Sequence, residues 1–148
     1  MMRTAAYPIQ ILQTPGQVTM LHEEMTVYRH IQLGGVHPED PDPSYMGDSI
    51  GHWEGDTLVV DTVGLKTITT LDPVGLPHTE QLHVVERIRR TGPKQIENVL
   101  TLDDPGAFTR PWSLRLTYAL QPPQRKLAEY ICENQRNAPV GEHPGFQR

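Results

Sequence analysis

Apolar and polar residues alternate with a period of two along most of this chain. Val27, Arg29, Ile31 and Leu33 share one side of a segment whose other side carries Thr26, Tyr28, His30 and Gln32. Leu82, Val84, Glu86 and Ile88 alternate in the same way with His83, Val85, Arg87 and Arg89. A period of two is strand periodicity, with one face turned to a core and one to solvent. The pattern predicts strands at 9–13, 17–22, 26–33, 50–53, 57–63, 82–90, 96–102, 112–120 and 126–132. Turn signals fall between them: Thr14-Pro15-Gly16, Glu54-Gly55-Asp56, 91–95 with Gly92-Pro93, and 121–125 with Pro122-Pro123.

Composition points the same way. The 148 residues are 36% hydrophobic and include 14 Pro and 12 Gly, so few windows run a dozen residues without a helix breaker. A chain of this length buries roughly two-thirds of its surface on folding, enough for one core. We therefore expect a single all-β domain over 1–137 and an irregular tail of Pro, Gly and polar residues over 138–148. About nine short strands without a helical crossover argue against parallel pairing. An antiparallel sheet of that size removes its edges by closing into a β-barrel, lipocalin-like or cupin-like. Connections 34–49, 64–81 and 103–111 are long, and a simple meander puts all three at one end, together with the Thr14-Pro15-Gly16 turn. Long loops in a compact domain usually serve function, so that end is expected to be the mouth of a ligand site.

Charge and cysteine content narrow the partners. Thirteen Lys plus Arg against eighteen Asp plus Glu give a net charge of −5, which disfavours a nucleic-acid partner. No apolar run reaches the roughly 18 residues of a membrane helix. The single cysteine, Cys132, permits no internal disulfide and no CxxC site. The opening MMRTAAYPIQ carries a basic residue without an apolar stretch, so it does not read as a signal peptide.

Several polar residues share faces with apolar ones. Arg29, Glu86, Glu129 between Leu127 and Ile131, Tyr118 after Trp112, Leu114 and Leu116, and His22 after Val18 and Met20 are expected inside. Asp61, between Val59 and Val63, joins this set, although both faces of its strand are apolar. Unpaired buried charge is costly, so such a floor either pairs internally, as Arg29 with an acid, or serves a ligand. A carboxylate in apolar surroundings has a raised pKa suited to proton transfer near neutrality. Glu86 and Asp61 are thus the candidate catalytic acids or bases. His37 and His78, from the loops, are their candidate complements. Arg29, Tyr45, Trp112, Tyr118, Glu129 and His22 are candidate substrate contacts, with Arg29 and Arg110 able to hold one carboxylate. Trp53 is expected to close one end of the core. There is no HExxH, HxH, GxSxG, GxxxxGK[ST] or GxGxxG, so no metal ligand set or nucleotide cradle is assigned.

The stretches MGDSIGHWEGDTLVVDTVG (46–64), LPHTEQLHVVERIRR (76–90), LDDPGAFTRPW (102–112) and EYICENQRN (129–137) resemble a widespread bacterial family of largely uncharacterised β-rich domains. The resemblance runs in order from about Tyr7 to Asn137 and implies no particular activity. It implies export for members with an N-terminal extension, whereas the sequence as written implies cytoplasm, so the compartment stays open. Two departures stand out: His52 where an arginine precedes WEGD, and Gly64-Leu65-Lys66 where an aromatic usually follows the glycine.

The leading expectation is a β-barrel enzyme without an organic cofactor that acts on a small molecule by acid–base chemistry, as a lyase, isomerase or hydrolase. A non-catalytic ligand-binding barrel and a cupin-like enzyme with a divalent metal are the alternatives. Val60, Val85 and Leu58, read as facing away from the inner set, lead us to expect a homodimer.

Overall fold

Each alternating segment up to residue 120 becomes a strand. The computed structural model describes residues 7–72 and 74–128. The strands are β1 (Ile9–Thr14), β2 (Gln17–His22), β3 (Val27–Leu33), β4 (Asp48–Glu54), β5 (Thr57–Val63), β6 (His83–Gly92), β7 (Gln95–Asp103) and β8 (Trp112–Ala119). They form one eight-stranded sheet in the order β1 to β8. The sheet is antiparallel except at one seam, and it curls into a half-barrel, so that residues of β1 and β8 line the same pocket on its inner face. Of the expected ninth strand, residues 126–128 have no regular structure, and 129–132 lie outside the described residues. No helix among the described residues is long and apolar enough to cross a membrane.

The seam corrects the expected meander. β3 and β4 run parallel, with Gln32 opposite Ile50 and Leu33 opposite Gly51. A parallel neighbour requires the chain to return to its starting end. Residues 34–47 do this without a helix, because they are laid over the outer face and tied to the chain beyond β5. The Ser44 amide donates to the Gly64 carbonyl (2.9 Å), and the Lys66 amide donates to the Ser44 carbonyl (3.0 Å). Gly47 is required in this path: it has φ +71°, and a Cβ there would lie 2.6 Å from the Val63 carbonyl oxygen. The consequence is a different distribution of loops. Connections 64–82 and 104–111 share one end with the short turn at 23–26, while the Thr14-Pro15-Gly16 turn lies at the other end and 34–47 spans both.

Nor do the long loops form an open mouth. Leu65, Leu71 and Leu82, from the 64–82 connection, pack with Val84, Leu100 and Leu102 into one of two apolar clusters. Phe108 and Trp112 join it, with their rings edge to face at 5.8 Å. This connection carries enough leucine to build a core of its own, each fully buried side chain contributing about 1.5–3 kcal/mol. The other cluster is Val18, Met20, Ile31, Leu58, Val60 and Ile88, on the inner face of β2, β3, β5 and β6. Gly51 lets β4 join it closely, since a Cβ would sit 2.9 Å from Ile31 Cγ2. Leu58 and Val60 therefore point inward, and of the three residues offered for a dimer face only Val85 lies on the outer side.

Candidate functional site

The inner face carries a buried polar network at its centre. Arg29 on β3 is 3% exposed and Glu86 on β6 is 4% exposed. Arg29 Nη1 is ion-paired with Glu86 Oε2. Arg29 Nε donates to Ser49 Oγ (3.0 Å) and Nη2 donates to Thr62 Oγ1 (2.6 Å). The two hydroxyls are 3.0 Å apart. Asn98 Nδ2 donates to the other carboxylate oxygen of Glu86 (2.8 Å). The placement follows from register: Met20 faces Arg29, Val60 faces Glu86, and Ser49 faces Thr62, all on the concave side. Three hydrogen-bonding neighbours make this buried ion pair tenable where an isolated charge would not be.

Beside it lies a pocket of about 30 Å³. Its walls are Ile9, Ile11, Met20, Ile88, Ile96, Leu100, Leu116, Tyr118 and Met46, together with His22, Arg29 and Glu86. The space holds about two water molecules. His22 is the unusual member. Both of its ring nitrogens are buried, and neither has a hydrogen-bond partner among the described residues. Burial pushes the His22 pKa down, and the neighbouring Arg29 charge pushes it further, with Glu86 opposing. The imidazole is therefore neutral at neutral pH, with one N–H and one free lone pair.

A second cluster sits on the outer face. His37 Nδ1 lies 2.5 Å from Asp48 Oδ1, and His37 Nε2 lies 3.2 Å from Asp61 Oδ1. His83 Nε2 reaches the same Asp61 oxygen at 2.7 Å. The chain Asp48–His37–Asp61–His83 joins the crossover loop to β4, β5 and β6 and is part-exposed along its length. A neutral imidazole has a single N–H, so only the imidazolium form of His37 donates to both carboxylates. Because Asp48 and Asp61 approach opposite ring nitrogens, the donors do not converge on one point. Among the described residues no group of three or more His, Cys, Asp or Glu is arranged to hold a metal ion.

Set against the candidates from sequence, the pocket gathers Arg29, Glu86, His22 and Tyr118. Asp61 is not among them. Val60 and Thr62 of β5 face inward, so Asp61 faces outward, opposite Ile50 and Val85 and in contact with His37 and His83. With apolar residues on both faces of β5, periodicity had no side to assign it. His78 is buried away from both clusters. Its Nδ1 lies 3.0 Å from the Thr79 carbonyl and its Nε2 lies 2.8 Å from Thr69 Oγ1, so it fastens the 64–82 connection. Trp112 packs into the second apolar cluster rather than at a ligand. Tyr45 is 63% exposed, with Lys66 Nζ 5.0 Å from its ring centre. Glu129 lies outside the described residues. Trp53, expected in the core, is 46% exposed at the end of β4. His52 is on the surface, 3.2 Å from Glu54.

Ser49, Thr62, Asn98, Asp48 and His83 were not singled out as site residues from the sequence. Small hydroxyls and an amide on an otherwise apolar face were the available signal for the first three. Asp104 is a further buried acid, fully enclosed at the loop end. Burial pushes its pKa up, but hydrogen bonds outweigh this and hold it below the usual carboxylate value: the Thr79 hydroxyl, then the amides of Thr79, Gly106 and Ala107. It is a structural clasp for the two long loops. No family model matches the chain, and neither a curated protein nor a solved structure matches it.

Proposed function

We propose that the protein is a small-molecule enzyme that moves a proton with side chains of the inner pocket, in a lyase, isomerase or hydrolase reaction. The observation that carries this reading is His22: a neutral imidazole in an apolar pocket beside an ion pair, with both nitrogens buried and without a hydrogen-bond partner among the described residues. A buried polar group without a partner forfeits hydrogen bonds it would make in water, and a bound molecule restores them. His22 is the base in this scheme. Glu86, the first choice from sequence, is engaged by Arg29 and Asn98, which makes it a positioning residue that fixes the Arg29 charge near His22. The scheme uses side chains alone.

A non-catalytic carrier is the second reading. A carrier cavity is expected to be almost wholly apolar, whereas an active site brings titratable groups together. The titratable groups His22, Arg29 and Glu86 in the pocket lining favour the first reading. The test is incorporation of solvent deuterium into the methyl groups of acetone in D₂O, followed by NMR. The expected result is exchange that falls by roughly 10²–10⁴-fold in His22→Leu, with the base form persisting below pH 6.5 in wild type. Equal exchange rates for the two proteins would overturn the assignment of His22.

A further inference from the structure

The charge balance of the pocket names a substrate class, and this inference rests on the reading above. Among the lining residues Arg29 brings the positive charge and Glu86 the negative one, and they are paired with each other. Ser49 and Thr62 take up Nε and Nη2 of the guanidinium, and Asn98 takes the remaining carboxylate oxygen. The rest of the wall is Ile, Leu and Met with Tyr118. A ligand with net charge would add an uncompensated charge to a desolvated site, which is strongly unfavourable. A neutral imidazole, by contrast, matches either a carbonyl acceptor or a hydroxyl donor.

We propose that the pocket selects small uncharged molecules with one hydrogen-bonding group, such as a ketone, aldehyde or alcohol. The polar atom meets a His22 ring nitrogen, and the hydrocarbon part lies against Ile9, Met20 and Ile88. Arg29 is then not a holder of substrate carboxylate, the role its side chain invited from sequence. Its charge is already answered inside the protein.

Three probes with the same number of non-hydrogen atoms test this: acetone, acetate and isopropylammonium, each titrated at neutral pH by ligand-observed NMR. Acetone is expected to bind in the millimolar range and to lose its signal in His22→Phe. Acetate and isopropylammonium are expected to bind about tenfold more weakly or not at all. Glu86→Gln uncovers the Arg29 charge and is expected to turn the preference toward acetate. The wild-type ranking decides the matter even where that variant fails to fold. Acetate binding at least as tightly as acetone overturns the inference, as does a failure of all three to bind. Acetone binding without deuterium exchange leaves the charge selection standing and removes the proton transfer instead.

Discussion

The two faces of the sheet carry the same kinds of groups under opposite conditions. On the inner face Arg29 and Glu86 are almost fully enclosed, and their partners Ser49, Thr62 and Asn98 satisfy them from three further strands. On the outer face Asp48, His37, Asp61 and His83 form a chain of comparable distances with water at its side. Distance alone would rank them as equals. Burial separates them: a charge that loses its partner inside has nothing to replace it, whereas water replaces a lost partner on the surface. The inner network should therefore dominate stability, and the outer one should govern only the loop it fastens.

The sharpest way to break this comparison is to remove one member from each side. Arg29→Met should cost about 3–5 kcal/mol by denaturant unfolding, because Glu86 is left buried and unpaired. Asp61→Asn should cost less than about 1 kcal/mol. Similar costs for the two would show that enclosure is not what distinguishes the faces. The Arg29→Met cost should largely vanish when Glu86 is replaced by Leu in the same chain, since removing both charges is far cheaper than removing one.

The loop end tests whether long connections act as core. Leu82→Ala should cost about 2–5 kcal/mol, the range for a well-packed aliphatic core position. Leu82 is 2% exposed, next to Leu71 and Val84. A surface-like value below about 0.5 kcal/mol would mean that the 64–82 connection is not packed onto the sheet.

Acid sharpens the comparison further. His22 has a folded-state pKa below its ordinary 6.5. Between the two values the unfolded chain takes up the proton and the folded chain does not. Stability should thus begin to fall as pH drops through about 6.5 and level off once the folded-state pKa is passed. His22→Leu should remove that part of the pH dependence in unfolding curves. Asp104 acts lower: its stabilisation is complete above 3.8 and is lost as pH falls from there through its depressed folded-state value. A stability profile flat from pH 7 to 5 in wild type would contradict the burial assigned to His22.

The smallest effect concerns the outer chain itself. His37→Gln should leave global stability within about 1 kcal/mol. It should nonetheless speed amide hydrogen exchange in residues 36–47, which His37 fastens to Asp48 and Asp61. Unchanged exchange there would mean that the Ser44 contacts alone hold the crossover.

Much of this was legible in the residues and some was not, for physical reasons. Strand positions followed from alternation, and Glu86 was correctly placed inside because its opposite face carries His83, Arg87 and Arg89. Asp61 was misplaced because β5 carries apolar residues on both faces, and a period of two then carries no direction. The meeting of His37 with Asp61 depends on the crossover, and the crossover was obscured by the expectation that parallel strands need a helix between them. The tryptophans exchanged roles: Trp112 gained a core from Phe108 and the loop leucines, whereas Trp53 ends its strand beside an exposed turn. Single-strand patterns hold no information about either neighbour.

The parallel seam has a mechanical meaning. Two residue pairs join β3 to β4, whereas β6 and β7 align along almost their whole length. The molecule is therefore a three-stranded leaf and a five-stranded leaf hinged along a short joint. Arg29 belongs to the small leaf, while Ser49, Thr62 and Glu86 belong to the large one, so this side chain is a polar rivet across the joint, beside the apolar packing of Val18, Met20 and Ile31 on Leu58, Val60 and Ile88. The pocket wall is divided the same way, with Ile9, Ile11, Met20 and His22 on one leaf and Ile88, Ile96, Leu100 and Leu116 on the other. Any breathing along this joint would widen the cavity before it disturbed either leaf, and the strength of the rivet would set how often a molecule gets in.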